Sequence, residues 1–89
     1  MAETPAMKVS ITSFDIAQGK KSSARFCPVA SALSRAFERD IWVGWAFCYS
    51  HPDSLPKMIL PLPQEAQDFV INFDQGKNVE PFDFEISFS

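Results

Sequence analysis

The segment Phe82-Asp83-Phe84-Glu85-Ile86-Ser87-Phe88 alternates apolar and polar residues without a break. Successive side chains of a strand leave opposite faces, so this run predicts a strand burying three Phe and one Ile while Asp83, Glu85 and Ser87 meet water. Such a strand needs neighbours to pair with and apolar elements to cover its Phe face. In 89 residues there is room for one such arrangement, because a chain this short removes only about 60–65% of its unfolded surface from water. One domain spanning residues 1–89 is expected, with residues 1–6 as a loose tail, and large-enzyme architectures are excluded.

Nine Phe and two Trp supply the core that this size demands. Aromatic side chains bury about 150–250 Å² each, so neither metal nor cross-links are required. The two cysteines, with no basic-then-apolar leader before them, read as reduced thiols of a cytoplasmic protein. No window approaches the roughly 20 apolar residues of a membrane span.

Met7-Lys8-Val9-Ser10-Ile11-Thr12 alternates as a first strand. Ser13–Gly19 offers Ser13 as a cap, Phe14 and Ile16 as anchors and Gly19 as a stop for one or two helical turns; Lys20 to Ser23 form a solvated loop. Cys27-Pro28 opens a helix, since proline at its first position loses no hydrogen bond. There Val29, Ala30, Leu33, Ala36 and Phe37 share one face, while Ser31, Ser34, Arg35 and Glu38 point away.

Ile41 to Tyr49 reads as one strand with Ile41, Val43, Trp45, Phe47 and Tyr49 on one face and Trp42, Gly44, Ala46 and Cys48 on the other. Ser50 to Pro56 is a proline-rich turn leading to a hairpin partner, Lys57 to Leu60. Pro63 opens a second helix carrying Ala66, Phe69, Val70 and Phe73, with Glu65 and Asp68 in its first turns and Gly76 as a left-handed stop. The expected fold class is α+β, in the order β-α-β-β-α-β, with a single antiparallel sheet and two helices on one face; a ferredoxin-like strand order satisfies it.

Residues that could carry chemistry are few. Cys27 precedes a helix N-terminus, where a thiol can become nucleophilic. A base is needed, however, and the one histidine, His51, lies in the proline-rich loop. Cysteine is among the most buried residue types, so a core role is expected for Cys27. Cys48, His51 and Asp53, with Cys27, lack the paired spacing of zinc ligands; no metal and no cofactor are expected.

Charge is unevenly spread. Residues 64–89 carry six acids and one base, a balance of −5, whereas residues 1–63 carry seven bases and five acids, a balance of +2, giving the net −3. Lys20, Lys21, Arg25, Arg35 and Arg39 could form a basic patch for nucleic acid. The acidic part suits a partner's basic groove. Trp42 and Trp45 fall on opposite faces of one strand; with helices covering Trp45, Trp42 is left outside, where an aromatic anchors an interface.

The stretch Arg25-Phe-Cys-Pro-Val-Ala-Ser-Ala-Leu-Ser-Arg-Ala-Phe37, then Leu62-Pro-Gln-Glu-Ala-Gln-Asp-Phe-Val-Ile-Asn-Phe-Asp-Gln-Gly76 and Val79-Glu-Pro-Phe-Asp-Phe84, resembles a group of small phage- and prophage-encoded proteins of uncharacterised function. That group has a CPxAxAL-like helix start, an LPxxAxxFI-like helix ending FDxG and a VxPFxF-like terminal strand. The match spans about two-thirds of the chain and falls on core and cap positions; the Ser50–Pro56 loop and the Trp-rich second strand depart from it. The resemblance implies a phage accessory protein in bacterial cytoplasm that binds and blocks a host protein machine, most specifically an anti-CRISPR inhibitor of a surveillance complex, and not an enzyme. Trp42, Glu65, Asp68, Asp83 and Glu85 are then the expected partner contacts. A nucleic-acid-binding regulator using Lys20, Lys21, Arg25, Arg35 and Arg39 is the alternative.

Overall fold

A computed structural model describes residues 6–50 and 59–87. Along the chain run β1 (Ala6–Ile11), α1 (Ser13–Gln18), α2 (Pro28–Phe37), β2 (Ile41–Val43), β3 (Phe47–Ser50), β4 (Ile59–Pro61), α3 (Gln64–Asp74) and β5 (Phe82–Ser87). The class is α+β with antiparallel strands throughout. The expected single sheet is corrected to two: β1 pairs with β5, and β2-β3-β4 form a separate three-stranded sheet. Three helices stand where two and a short turn are read from the sequence, and β1 starts one residue earlier than expected, at Ala6.

The alternating β5 buries Phe84 and Ile86 and exposes Asp83 and Glu85, with Phe82 half-buried. Its register against β1 pairs Val9 with Phe84 and Met7 with Ile86 on the core side, and Ser10 with Asp83 and Lys8 with Glu85 on the solvent side. Phe82 also packs on Phe69 of α3, ring centroids 5.4 Å apart. Helix α2 is the hub, lying against β1, β2, α1 and α3. It starts as its sequence requires, with Cys27 as N-cap accepting from the Ala30 amide and Pro28 at the first position. Val29, Ala30 and Leu33 are buried as expected, joined by Ala32, while Ala36 and Phe37 are only half-buried. Gly19, which caps α1, packs against that start, since a Cβ there would fall 2.6 Å from the Pro28 ring. α3 follows Pro63, buries Ala66, Phe69, Val70 and Phe73, and is followed by Gly76 at φ +79°, the left-handed geometry that favours glycine.

The stretch read as one strand from Ile41 to Tyr49 is a hairpin. Val43 pairs with Cys48, the Gly44 amide donates to the Phe47 carbonyl at 2.7 Å, and Trp45 and Ala46 form the tip. Cross-strand partners share a face, so the reversal places even-numbered residues of β3 with odd-numbered residues of β2. Ile41, Val43, Cys48, Ser50 and Leu60 are accordingly buried. Trp45, expected in the core, is 83% exposed, and Phe47 is 52% exposed.

The outward edge of β2 is occupied. Its Val43 amide donates to the Ala24 carbonyl at 2.8 Å and its Ile41 amide to Ser34 Oγ at 2.9 Å. Ser34 thus does not point away from the fold. Arg35 is exposed as expected, yet its guanidinium reaches Asp15. The α1 cap is Thr12 rather than Ser13, in a reciprocal capping box with Asp15; Phe14, read as an anchor, is 69% exposed.

Candidate functional site

The three-stranded sheet has one face on the core and one toward solvent. By register, Trp42, Tyr49 and Ile59 form a row across the solvent face, and Phe47 and Pro61 form the next row. Ile59 is 70% exposed, Phe47 and Pro61 are exposed, and Trp42 and Tyr49 are half-buried. All five are apolar or aromatic, and the Trp45 tip extends beyond them. Contiguous exposed apolar surface of this kind on a small domain marks an interaction site. Its origin is local: β2, β3 and β4 carry apolar residues on both faces, and α2 covers only one.

Trp42 lies on this face as expected, beneath the Arg25 guanidinium, 5.6 Å from its ring. Arg25 also stands 5.3 Å from Phe26 and pairs with Asp40 at 2.7 Å. Phe26, exposed and with Lys20 Nζ 5.7 Å from its ring, prolongs the aromatic surface.

The four acids read from the sequence come together around α3 and β5. Glu65 borders one depression with Asp83 and Glu85, and another with Asp68 and Glu80. Glu85 also borders the shallow hollow at Pro61, Leu62 and Pro63, linking the acidic strand to the margin of the apolar face. The acids are partly engaged already: Lys8 Nζ sits 3.2 Å from Asp83 Oδ2, and Gln64 Nε2 donates to Asp68 Oδ1 at 2.9 Å. Hydrogen bonds from Ser10 and Lys8 hold the Asp83 carboxyl below its usual range.

The five basic residues do not form one patch. Arg35 reaches β1 and α1, donating to both Asp15 oxygens at 3.0 and 2.8 Å and to the Ser10 carbonyl at 3.0 Å. Lys20 and Arg25 gather on Phe26, Lys21 Nζ lies beside Gly76, and Arg39 is half-buried. Asp15 is nearly inaccessible; burial raises its pKa, but the hydrogen bonds from Arg35 and Thr12 prevail and hold it below the usual carboxylate value.

Both thiols are buried and pushed toward the protonated form by burial, Cys48 to about 11. Neither is poised as a nucleophile. His51 and Asp53 lie outside the described residues; among those described, no group of three His, Cys, Asp or Glu side chains is arranged to hold a metal. Within the same limits no helix is long and apolar enough to cross a membrane. Asp74, counted from the sequence only as one of the six acids of residues 64–89, has a place of its own at the end of α3, where its Oδ1 accepts from the Ser22 amide at 2.8 Å. It borders a cleft of about 430 Å³ that also reaches Trp45, Val43, Val70 and Cys27. Comparison with protein-family models, curated proteins and solved structures finds no match to this chain.

Proposed function

We propose that this protein is a non-enzymatic binding module that acts by occupying a surface of a partner protein. The solvent face of the β2-β3-β4 sheet carries this reading, because Phe47, Ile59 and Pro61 stand uncovered beside the Trp45 tip. Apolar anchors of this type concentrate binding energy, while charges at the margin act mainly on association rate. Glu85 at that margin, continued by Asp83 and Glu65 around the next depression, favours a partner whose surface is basic, as a nucleic-acid-handling machine has. Joined to the resemblance to phage-encoded proteins, this makes inhibition of a bacterial CRISPR surveillance complex the most specific form of the proposal, with the protein acting in the host cytoplasm.

The test uses purified surveillance complexes incubated with the protein before target DNA is added. Loss of target binding with the wild type, and its recovery with a Phe47→Glu/Ile59→Glu variant of unchanged melting temperature, supports the proposal. No inhibition of any complex would remove its specific form. A salt-sensitive shift of DNA or RNA abolished by Lys20, Lys21 and Arg25→Glu changes would replace it with nucleic-acid binding.

A further inference from the structure

The cleft beneath the hairpin tip adjoins the solvent face of the sheet through Tyr49, which borders both, and has its own chemistry. Its volume, about 430 Å³, falls within the range of small-ligand sites. Trp45, 83% exposed, borders it on the tip side, with Val43, Val70 and Cys27 among its buried lining residues and Asp74 half-buried at its rim. The groups differ sharply in charge. Cys27 is buried, and burial together with the neighbouring Asp74 carboxylate pushes its thiol upward, so the base stays neutral. Asp74 carries the one carboxyl group among the lining residues; Lys21 Nζ lies beside Gly76, two residues on, and no cationic nitrogen of the described residues comes within ion-pair distance of Asp74. Its Oδ1 is taken by the Ser22 amide. A carboxylate keeps several lone-pair directions beyond one such bond.

Two ligand classes suit a site next to the start of a helix, and the residues choose between them. An anion would be drawn to the α2 amides, yet Cys27 Sγ already takes the Ala30 amide at 3.4 Å, and Asp74 repels negative charge. A cation meets a carboxylate at the rim and the Trp45 side chain beside it. A guanidinium fits this pair better than an ammonium, because it is planar, stacks on an indole and can bond a carboxylate through two N–H groups at once.

We infer that the cleft between Trp45 and Asp74 receives an arginine side chain of the protein partner. The inference rests on the reading of the protein as a binding module, and it adds the chemistry of one contact. Occupation of the cleft and of the solvent face of the sheet places the hairpin tip at the centre of the interface, with an apolar contact on one side and a charged one on the other.

The probe is the peptide Ac-Gly-Arg-Gly-NH2, titrated into the whole protein and followed by amide and indole NMR shifts, with the citrulline peptide as its uncharged match. The expected result is roughly millimolar binding that moves Trp45 and Gly44, is absent for citrulline and is weaker for the lysine peptide. Asp74→Asn keeps an oxygen for the Ser22 amide and should weaken the arginine peptide by at least about tenfold. Trp45→Ala, at an exposed site, should do likewise without changing the melting temperature. Equal binding of citrulline, undiminished binding by Asp74→Asn, or shifts confined to Asp83 and Glu85 would overturn the inference. The peptide assay contains no host complex. Failure there with intact inhibition therefore removes the cleft alone, and success without inhibition removes the target alone.

Discussion

The Asp15–Arg35 pair joins α1 to α2 and is unequal in its surroundings: the Asp15 side chain is 3% exposed and that of Arg35 54%. This inequality makes a directional prediction. Asp15→Asn leaves a guanidinium that water can solvate and preserves an oxygen for the Thr12 amide, which donates to Asp15 Oδ2 at 2.9 Å. It should cost about 1 kcal/mol, the net value of an ordinary hydrogen bond. Arg35→Met instead leaves an inaccessible carboxylate holding only its Thr12 contact. Breaking a fully buried pair costs about 3–5 kcal/mol; with Arg35 half in water, about 2–3 kcal/mol is expected here, or roughly 10–20 °C in melting temperature for a domain of this size. The sign of the pH dependence follows. Asp15 titrates below its ordinary value in the folded protein, so its stabilisation is present above the unfolded pKa of about 3.9 and disappears as pH falls through the lower folded value. Urea denaturation of wild type, both single variants and the double variant at pH 7 and in steps below pH 4 measures this. The gap between wild type and Arg35→Met should close toward acid pH. If Arg35→Met costs no more than Asp15→Asn at pH 7, or the gap is independent of pH, the carboxylate does not depend on Arg35.

Trp45→Ala should change stability by no more than about 0.5 kcal/mol, as at other exposed positions, while weakening the partner complex; a large loss in a thermal melt would return Trp45 to the core. Cys27 and Cys48 should react slowly with a thiol reagent in the folded protein and quickly in denaturant. Because the Cys48 thiol is raised to about 11, its contribution is intact below the unfolded pKa of about 8.5 and declines as pH climbs toward the folded value, a loss that Cys48→Ala should reduce in alkaline denaturation. Ser34→Ala removes the acceptor of the Ile41 amide and should cost about 1–2 kcal/mol in urea. Reversing Asp83 and Glu85 to Lys should slow association with a basic partner and flatten its salt dependence, with little change in dissociation rate.

Local grammar made part of the molecule legible. Cys27-Pro28 opens α2, Gly76 follows α3, and the period-two run of β5 lies against β1 as its pattern requires, since each signal acts within a few residues. The hairpin was hidden for a physical reason. Its tip is Trp45-Ala46, with none of the Asn-Gly or Asp-Gly chemistry that advertises a two-residue turn, and both flanks favour strand. A single reversal there inverted the faces of the rest of that strand, exposing Phe47 and burying Cys48, and left Trp45 at the exposed tip. The acids around Glu65 and Asp83 were found because they crowd one end of the chain. The pairing of Arg35 and Arg25, which the sequence offers only as members of a basic patch, is not legible because their partners, Asp15 and Asp40, lie 20 and 15 residues away. Asp74 is legible only as one of the six acids of residues 64–89, since its place on a cleft with Trp45 depends on a tip that the sequence puts in the core.

The closure of the β2 edge bears on how such an aromatic molecule survives at high concentration. Unpaired strand borders recruit further strands and template ordered aggregates. Here the two outward amides of β2 are held by Ala24 and Ser34, and β4, on the opposite border of that sheet, lies against β5. Side-chain stickiness and backbone stickiness are thereby separated at this edge: the protein can offer Phe47, Ile59 and Trp45 to another surface while giving a copy of itself little of the β2 main chain to extend.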